Sequence, residues 1–110
     1  MENVSFEDWQ KLDLRVGKIL KVEDIENADK LYKLTVDIGN EKRTLVAGIK
    51  QHYTKEQLKG KNCIIFCNLE PKKLRGIESK GMILAAVSED NNQVIILRPE
   101  SDIEAGSKVR

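Results

Sequence analysis

The chain has 110 residues, 40% of them hydrophobic and 34% charged, with a formal net charge of +1. That balance fits a soluble globular domain long enough to bury a core, and it excludes a disordered chain. No apolar run approaches the ~20 residues of a membrane-spanning helix, and the acidic opening has no signal-peptide core, so a single cytoplasmic domain over residues 1–110 is expected.

Ser5 is placed to cap a short helix with Glu7 and Asp8 near the positive end of its dipole. Phe6 and Trp9 share one face of that helix. So short a helix is marginal by itself, so these aromatics must pack on the chain's own barrel or on a second subunit. A long strand follows from about Asp13 to Ile25. Leu14, Val16, Leu20 and Val22 mark one face, Lys18 interrupts it, and Gly17 marks a bend or bulge.

Glu26 to Lys30 is a polar turn. Tyr32, Leu34, Val36 and Ile38 then alternate with Lys33, Thr35 and Asp37, the pattern of a half-buried strand with Tyr32 in the core. Gly39-Asn40 turns the chain into a third strand, Lys42 to Ala47. Gly48 to Tyr53 leaves the sheet. Thr54 to Gln57 has capping-box spacing, and Gly60 is a helix stop.

The fourth strand runs from Asn62 to Asn68, with Phe66 read as core. Cys63 and Cys67 lie four apart on an extended run, too far for a disulfide, and His52 is the only histidine, so buried, reduced thiols are expected and no metal site. A fifth strand covers Met82 to Val87, a turn Ser88 to Asn92, and a further strand Gln93 to Leu97. The tail from Pro99 to Arg110 is less regular.

The stretch between the fourth and fifth strands organises the rest. Pro71, Gly76 and Gly81 bend it, and it carries Lys72, Lys73, Arg75 and Lys80 beside Asn68 and Ser79. A cationic loop with hydroxyl, amide and backbone N–H donors suits a phosphate backbone, although a solvated hairpin would look similar. The charge balance by segment is −3 for residues 1–40, +6 for 41–80 and −2 for 81–110. A basic middle third in a nearly neutral chain is the footprint of a polyanion partner. With only five aromatics, recognition should rest on phosphates and shape rather than on stacking. No nucleotide loop or nucleophile–base motif is present, and His52 reads as a surface histidine, so neither a catalytic residue nor a cofactor is expected.

Three strands, a short helix and two more strands is the order of an OB-fold, with other small barrels or a sandwich also open. The expected class is all-β with short helices: a five-stranded Greek-key barrel with an N-terminal helix and a C-terminal extension.

Five segments carry a resemblance. They are Asp13 to Ile19, Asn27 to Tyr32, Val46 to Ile49, Asn68 to Gly76 and Ser79 to Met82. Together they resemble the tRNA-binding OB-fold domain of methionyl-tRNA synthetases, which also occurs as free-standing tRNA-binding proteins and in endothelial monocyte-activating polypeptide. The resemblance implies a non-catalytic module that grips tRNA by shape and is usually a homodimer when free-standing. A methionyl-tRNA synthetase catalytic chain is a possible partner. It places Asn68, Lys73, Arg75, Ser79 and Met82 on RNA-facing motifs, and Lys30 on a turn where Ile25-Glu26 stands in place of the family's His-Pro. Lys72 and Lys80 join them on charge. Met82 reads equally as a nucleotide contact or a core plug. Phe6, Trp9 and Ile103 are the expected dimer contacts. CsaA-type chaperones share the fold, so a protein-binding module is the alternative; their version of the Ala-Asp-Lys-Leu turn differs, which favours the tRNA-binding branch.

Overall fold

The computed structural model describes residues 1–110. Its principal sheet is built on β1 (Leu14–Asp24), with β2 (Tyr32–Asp37), β3 (Lys42–Ala47) and β4 (Asn62–Phe66). The helices α1 (Phe6–Trp9) and α2 (Lys55–Leu58) are one turn each. The segment after β4 folds into a hairpin of β5 (Lys72–Leu74) and β6 (Ile77–Ser79). After it come β7 (Met82–Ile83), β8 (Ala85–Val87), β9 (Val94–Ile96) and β10 (Lys108–Val109). All pairs are antiparallel, and the main sheet runs β3-β2-β1-β4-β7.

That sheet curls until β3 meets residues 79–81, giving the five-stranded OB-type barrel expected from the element order. Alternation along β2 puts Tyr32, Leu34, Val36 and Ile38 inside with Leu45, Ala47, Ile65 and both cysteines. Tyr32 donates its hydroxyl to the Tyr53 carbonyl at 2.8 Å, so its polar end is satisfied inside the core. The Thr54–Gln57 capping box forms in full, and Leu58 plugs the barrel from α2.

Four expectations need correction. The irregularity in β1 falls between Ile19 and Lys21, not at Gly17. Gly17 answers a different demand: a Cβ there would lie 2.6 Å from Val36 Cγ1 and 2.9 Å from Ile65 Cγ1. Because the bulge flips the alternation, Leu14 and Val16 lie outside the barrel core, opposite Phe66 and Ile64, while Ile19 and Val22 face it. Phe66 is accordingly half-buried on the outer face and is not core. The fifth strand is two pieces, since Met82–Ile83 pairs with β4 and Ala85–Val87 pairs with β9. Within the less regular tail, β10 adds to β1 with Leu14 opposite Val109.

Cys63 donates its thiol to the Gly17 carbonyl at 3.5 Å, and burial pushes its pKa up to about 12 from 9.0. Between those values the unfolded thiol loses its proton while the native one keeps it. Stability is therefore lost as pH rises from 9 toward 12, by up to about 1.4 kcal/mol per pH unit from this group. Denaturant unfolding of the native sequence and of Cys63→Ala from about pH 8 to about 10.5 checks this, since the advantage of the native sequence should shrink above pH 9.

Candidate nucleic-acid interface

The basic segment becomes a hairpin because Arg75 and Gly76 both adopt positive φ, 50° and 80°, the geometry of a two-residue type I′ turn. Lys72 pairs with Ser79, Lys73 with Glu78 and Leu74 with Ile77. The hairpin stands beside the outer face of β2 and β3, and the two enclose an open cleft of about 790 Å³. Lys33, Lys42, Arg43 and Thr44 line one wall, with Lys80 at the seam. Asn68, Pro71 and the strand Ile77–Glu78 line the other.

Charge within this basic third is unevenly used. Lys50 and Lys55 both bind Asp24, at 3.0 and 2.8 Å, and these two, Lys55 first, hold its carboxyl below the usual range. Arg43 pairs with Glu41 at 2.8 Å. No salt bridge engages Lys33, Lys42, Lys72, Lys73, Arg75 or Lys80. Lys59 and Lys61 of the same third are also free of salt bridges but lie away from the cleft; the other six fall on the hairpin and along the cleft it borders, whose lining also includes Glu41 and Glu78. Lys33 and Lys42 were not among the expected residues. Alternation along their strands puts both on the outer face, and that was the available signal.

The expected residues meet different fates. Lys72, Lys73, Arg75 and Lys80 are exposed on or beside the hairpin. Lys30 is exposed but does not line the cleft; its turn is anchored by buried Ile25 and Ala28, Ile25 standing where the family reads His-Pro. Asn68 borders the cleft, yet its amide is already engaged: Oδ1 accepts from Asp13 N–H at 2.8 Å and Nδ2 donates to the Lys11 carbonyl at 2.6 Å, tying the N-terminal arm to the end of β4. Met82 is 45% exposed and is therefore not a core plug. It lies beside Phe66, Leu14 and Val109 in one apolar row across the outer sheet.

Ser79 departs furthest from expectation. It is 5% exposed; its hydroxyl accepts from Val46 N–H at 2.9 Å and donates to the Gly81 carbonyl at 3.1 Å. Both roles lie within the barrel seam, so no part of it faces the cleft. Gly81 follows with φ +139°, and a Cβ there would stand 3.0 Å from the Phe66 carbonyl.

The tRNA binding domain family model matches residues 14–108. The chain belongs to the tRNA-binding domain family. It is 58% identical over 110 residues to the methionine–tRNA ligase of Pyrococcus horikoshii, covering all of this chain and 15% of the ligase. The chain thus spans about one seventh of the ligases it matches, in their C-terminal region. A MetRS-related protein from Pyrococcus horikoshii superposes with a TM-score of 0.94 at 39% identity, covering the whole of both chains. The chaperone CsaA of Bacillus anthracis superposes at 0.89 and 28% identity, over 99% of this chain and all of that one. The family's Ser-Lys-Gly segment is, in this member, where the barrel shuts.

Ser79→Ala should destabilise the fold by about 1–3 kcal/mol, because it leaves the half-buried Val46 N–H unpaired in the barrel seam. Urea unfolding of the two proteins measures the loss, and a difference near zero would return Ser79 to the ligand-facing surface.

Proposed function

We propose that this chain is a non-catalytic tRNA-binding module that holds folded tRNA through phosphate and shape contacts in the cleft between the β5–β6 hairpin and the outer face of β2 and β3. The observation that carries this reading is a set of six cations without a salt bridge, Lys33, Lys42 and Lys80 lining the cleft and Lys72, Lys73 and Arg75 on the hairpin beside it. The outer face of strands 2 and 3 is where OB-folds hold nucleic acid, and Lys33 and Lys42 lie on it. Lys30 and Asn68 flank this surface without forming its floor. On the same reading the module acts in the cytoplasm and serves an aminoacyl-tRNA synthetase of the methionyl type. It supplies affinity, while the synthetase supplies the chemistry.

We further propose that the module is a homodimer. Phe6 is 70% exposed, Trp9 38% and Ile103 51%. The first two border a hollow with Leu12, Leu14 and Val109. Ile103 borders Lys18 and Asn62, at the other end of the same outer sheet face. Between them run half-buried Phe66 and exposed Met82, while Leu14 in the same row is already covered at 7% exposure. An apolar face of this extent is a liability in a lone chain, and a symmetric contact would cover it on both copies at once. It would also place two basic clefts on one particle.

Two measurements test these readings. Lys73→Ala and Arg75→Ala should each weaken tRNA binding and flatten its salt dependence by roughly 0.7–0.9 in log–log slope for each phosphate left without its cation, while Lys59→Ala, away from the cleft, should not. Unchanged affinity and slope in both would remove the hairpin from the site, and equal affinity for an unfolded polypeptide would favour the chaperone-like alternative. In sedimentation equilibrium the chain should run as a dimer that Trp9→Glu splits into folded monomers. A single-chain mass at micromolar concentration would refute the dimer.

A further inference from the structure

Arg43 projects from β3 toward the cleft, and its guanidinium reaches in three directions. Nε donates to Glu41 Oε1 at 2.8 Å. Nη1 donates to the Cys67 carbonyl and approaches the Lys80 carbonyl at 3.4 Å, a long charge-assisted contact. Cys67 is the residue at which the basic segment leaves β4, and Lys80 is where it returns before β7. One planar group therefore ties β3 to both feet of the hairpin segment.

We propose that Arg43 is a positioning residue for the basic hairpin. It holds the two feet together and fixes the pose in which Lys72, Lys73, Arg75 and Lys80 meet an RNA backbone, without contacting that backbone itself. The proposal rests on the RNA-binding reading above.

Three features of the structure support it. The strands β5 and β6 pair only with each other, so main-chain ladders do not fix how the hairpin leans. The β4–β7 ladder ends at Phe66 and Met82, and the seam to β3 contains a single main-chain bond in this stretch, from Lys80 N–H to the Thr44 carbonyl at 3.0 Å. The Ser79 hydroxyl ties only the returning foot, through Val46 N–H, whereas Arg43 reaches both, and a rigid fork of donors can span two carbonyls where a lysine ammonium offers one flexible point. Finally, Arg43 is already ion-paired to Glu41 and its side chain is only 25% exposed, so it is poorly placed as a phosphate ligand although it lines the cleft.

The two roles predict different salt behaviour. A hairpin that holds the competent pose only part of the time binds more weakly by that fraction, yet makes the same contacts once bound. Losing the strap should lower affinity equally at every salt concentration, whereas losing a phosphate ligand should change the slope.

Arg43→Lys and Arg43→Ala would each be titrated with unfractionated tRNA across a potassium chloride series, and native-state amide exchange would be measured on the free proteins. Both variants should bind about tenfold more weakly with salt lines parallel to the unaltered chain. Amides of residues 72–79 should exchange faster, while those of β1 and β2 keep their protection. Arg43→Lys matching the unaltered chain in affinity and hairpin exchange would overturn the proposal. So would a slope lowered by roughly 0.7–0.9 in Arg43→Ala and restored in Arg43→Lys, which would make Arg43 a phosphate ligand. If the unaltered chain fails to bind tRNA, the functional reading falls, and the exchange comparison still decides whether Arg43 holds the hairpin.

Discussion

The hydrogen bond from Val46 N–H to the Ser79 hydroxyl stands where the barrel would otherwise come apart. β3 and β7 are the two open edges of the sheet, and a barrel has to join them. Here the ladder is too short to do so with main-chain bonds alone. The serine hydroxyl accepts from one edge and donates along the other, and Gly81 lets the backbone press against Leu45 and the Phe66 carbonyl. The same three residues, Ser79, Lys80 and Gly81, end the basic hairpin. Closing the barrel and seating the hairpin are therefore one structural event, and damage to the seam reaches the cleft without passing through any charged contact.

A net charge by segment is not yet a surface. The excess in residues 41–80 includes Lys50 and Lys55, both committed to Asp24 on the α2 side of the barrel, and Arg43, committed to Glu41. Folding removes these from the field available to a polyanion. It adds Lys33, which belongs by position to the acidic first third of the chain, because β2 lies beside β3. What an approaching phosphate would meet is set by strand register as much as by composition.

Much of the barrel could be read directly. The alternation of β2, the capping box at Thr54 and the buried cysteines each follow from local spacing, and local spacing survives folding. The failures share a cause, which is dependence on distant partners. Nothing near Leu20 announces the bulge that turns Leu14 and Val16 away from the core; it arises from matching β1 to β2 on one side and β4 on the other. Phe66 follows from that register and not from its own hydrophobicity. Ser79 looks like a surface hydroxyl by type, and it is buried because Val46 of β3, 33 residues earlier, comes to lie against it. Arg75 occupies a left-handed conformation usually given to glycine or asparagine, so the sharp hairpin tip was visible only as a bend at Gly76. The cleft was legible as a location, while its floor on β2 and β3 was not.

The pairing of β10 with β1 has a mechanical consequence. Leu14 begins β1 and Val109 ends β10, and they lie opposite one another, so the chain arrives and departs at the same end of this pair. Tension between the two termini would open the pair as a zipper, one rung after another, and not slide it in shear. The rungs continue inward only through the bonds of Val16 with Ser107 and Gly106, at 2.9 and 2.8 Å. Beyond them β1 is gripped on both sides by β2 and β4. A pull transmitted along the polypeptide would thus release the C-terminal strand like a fuse, sparing the barrel and the cleft behind it.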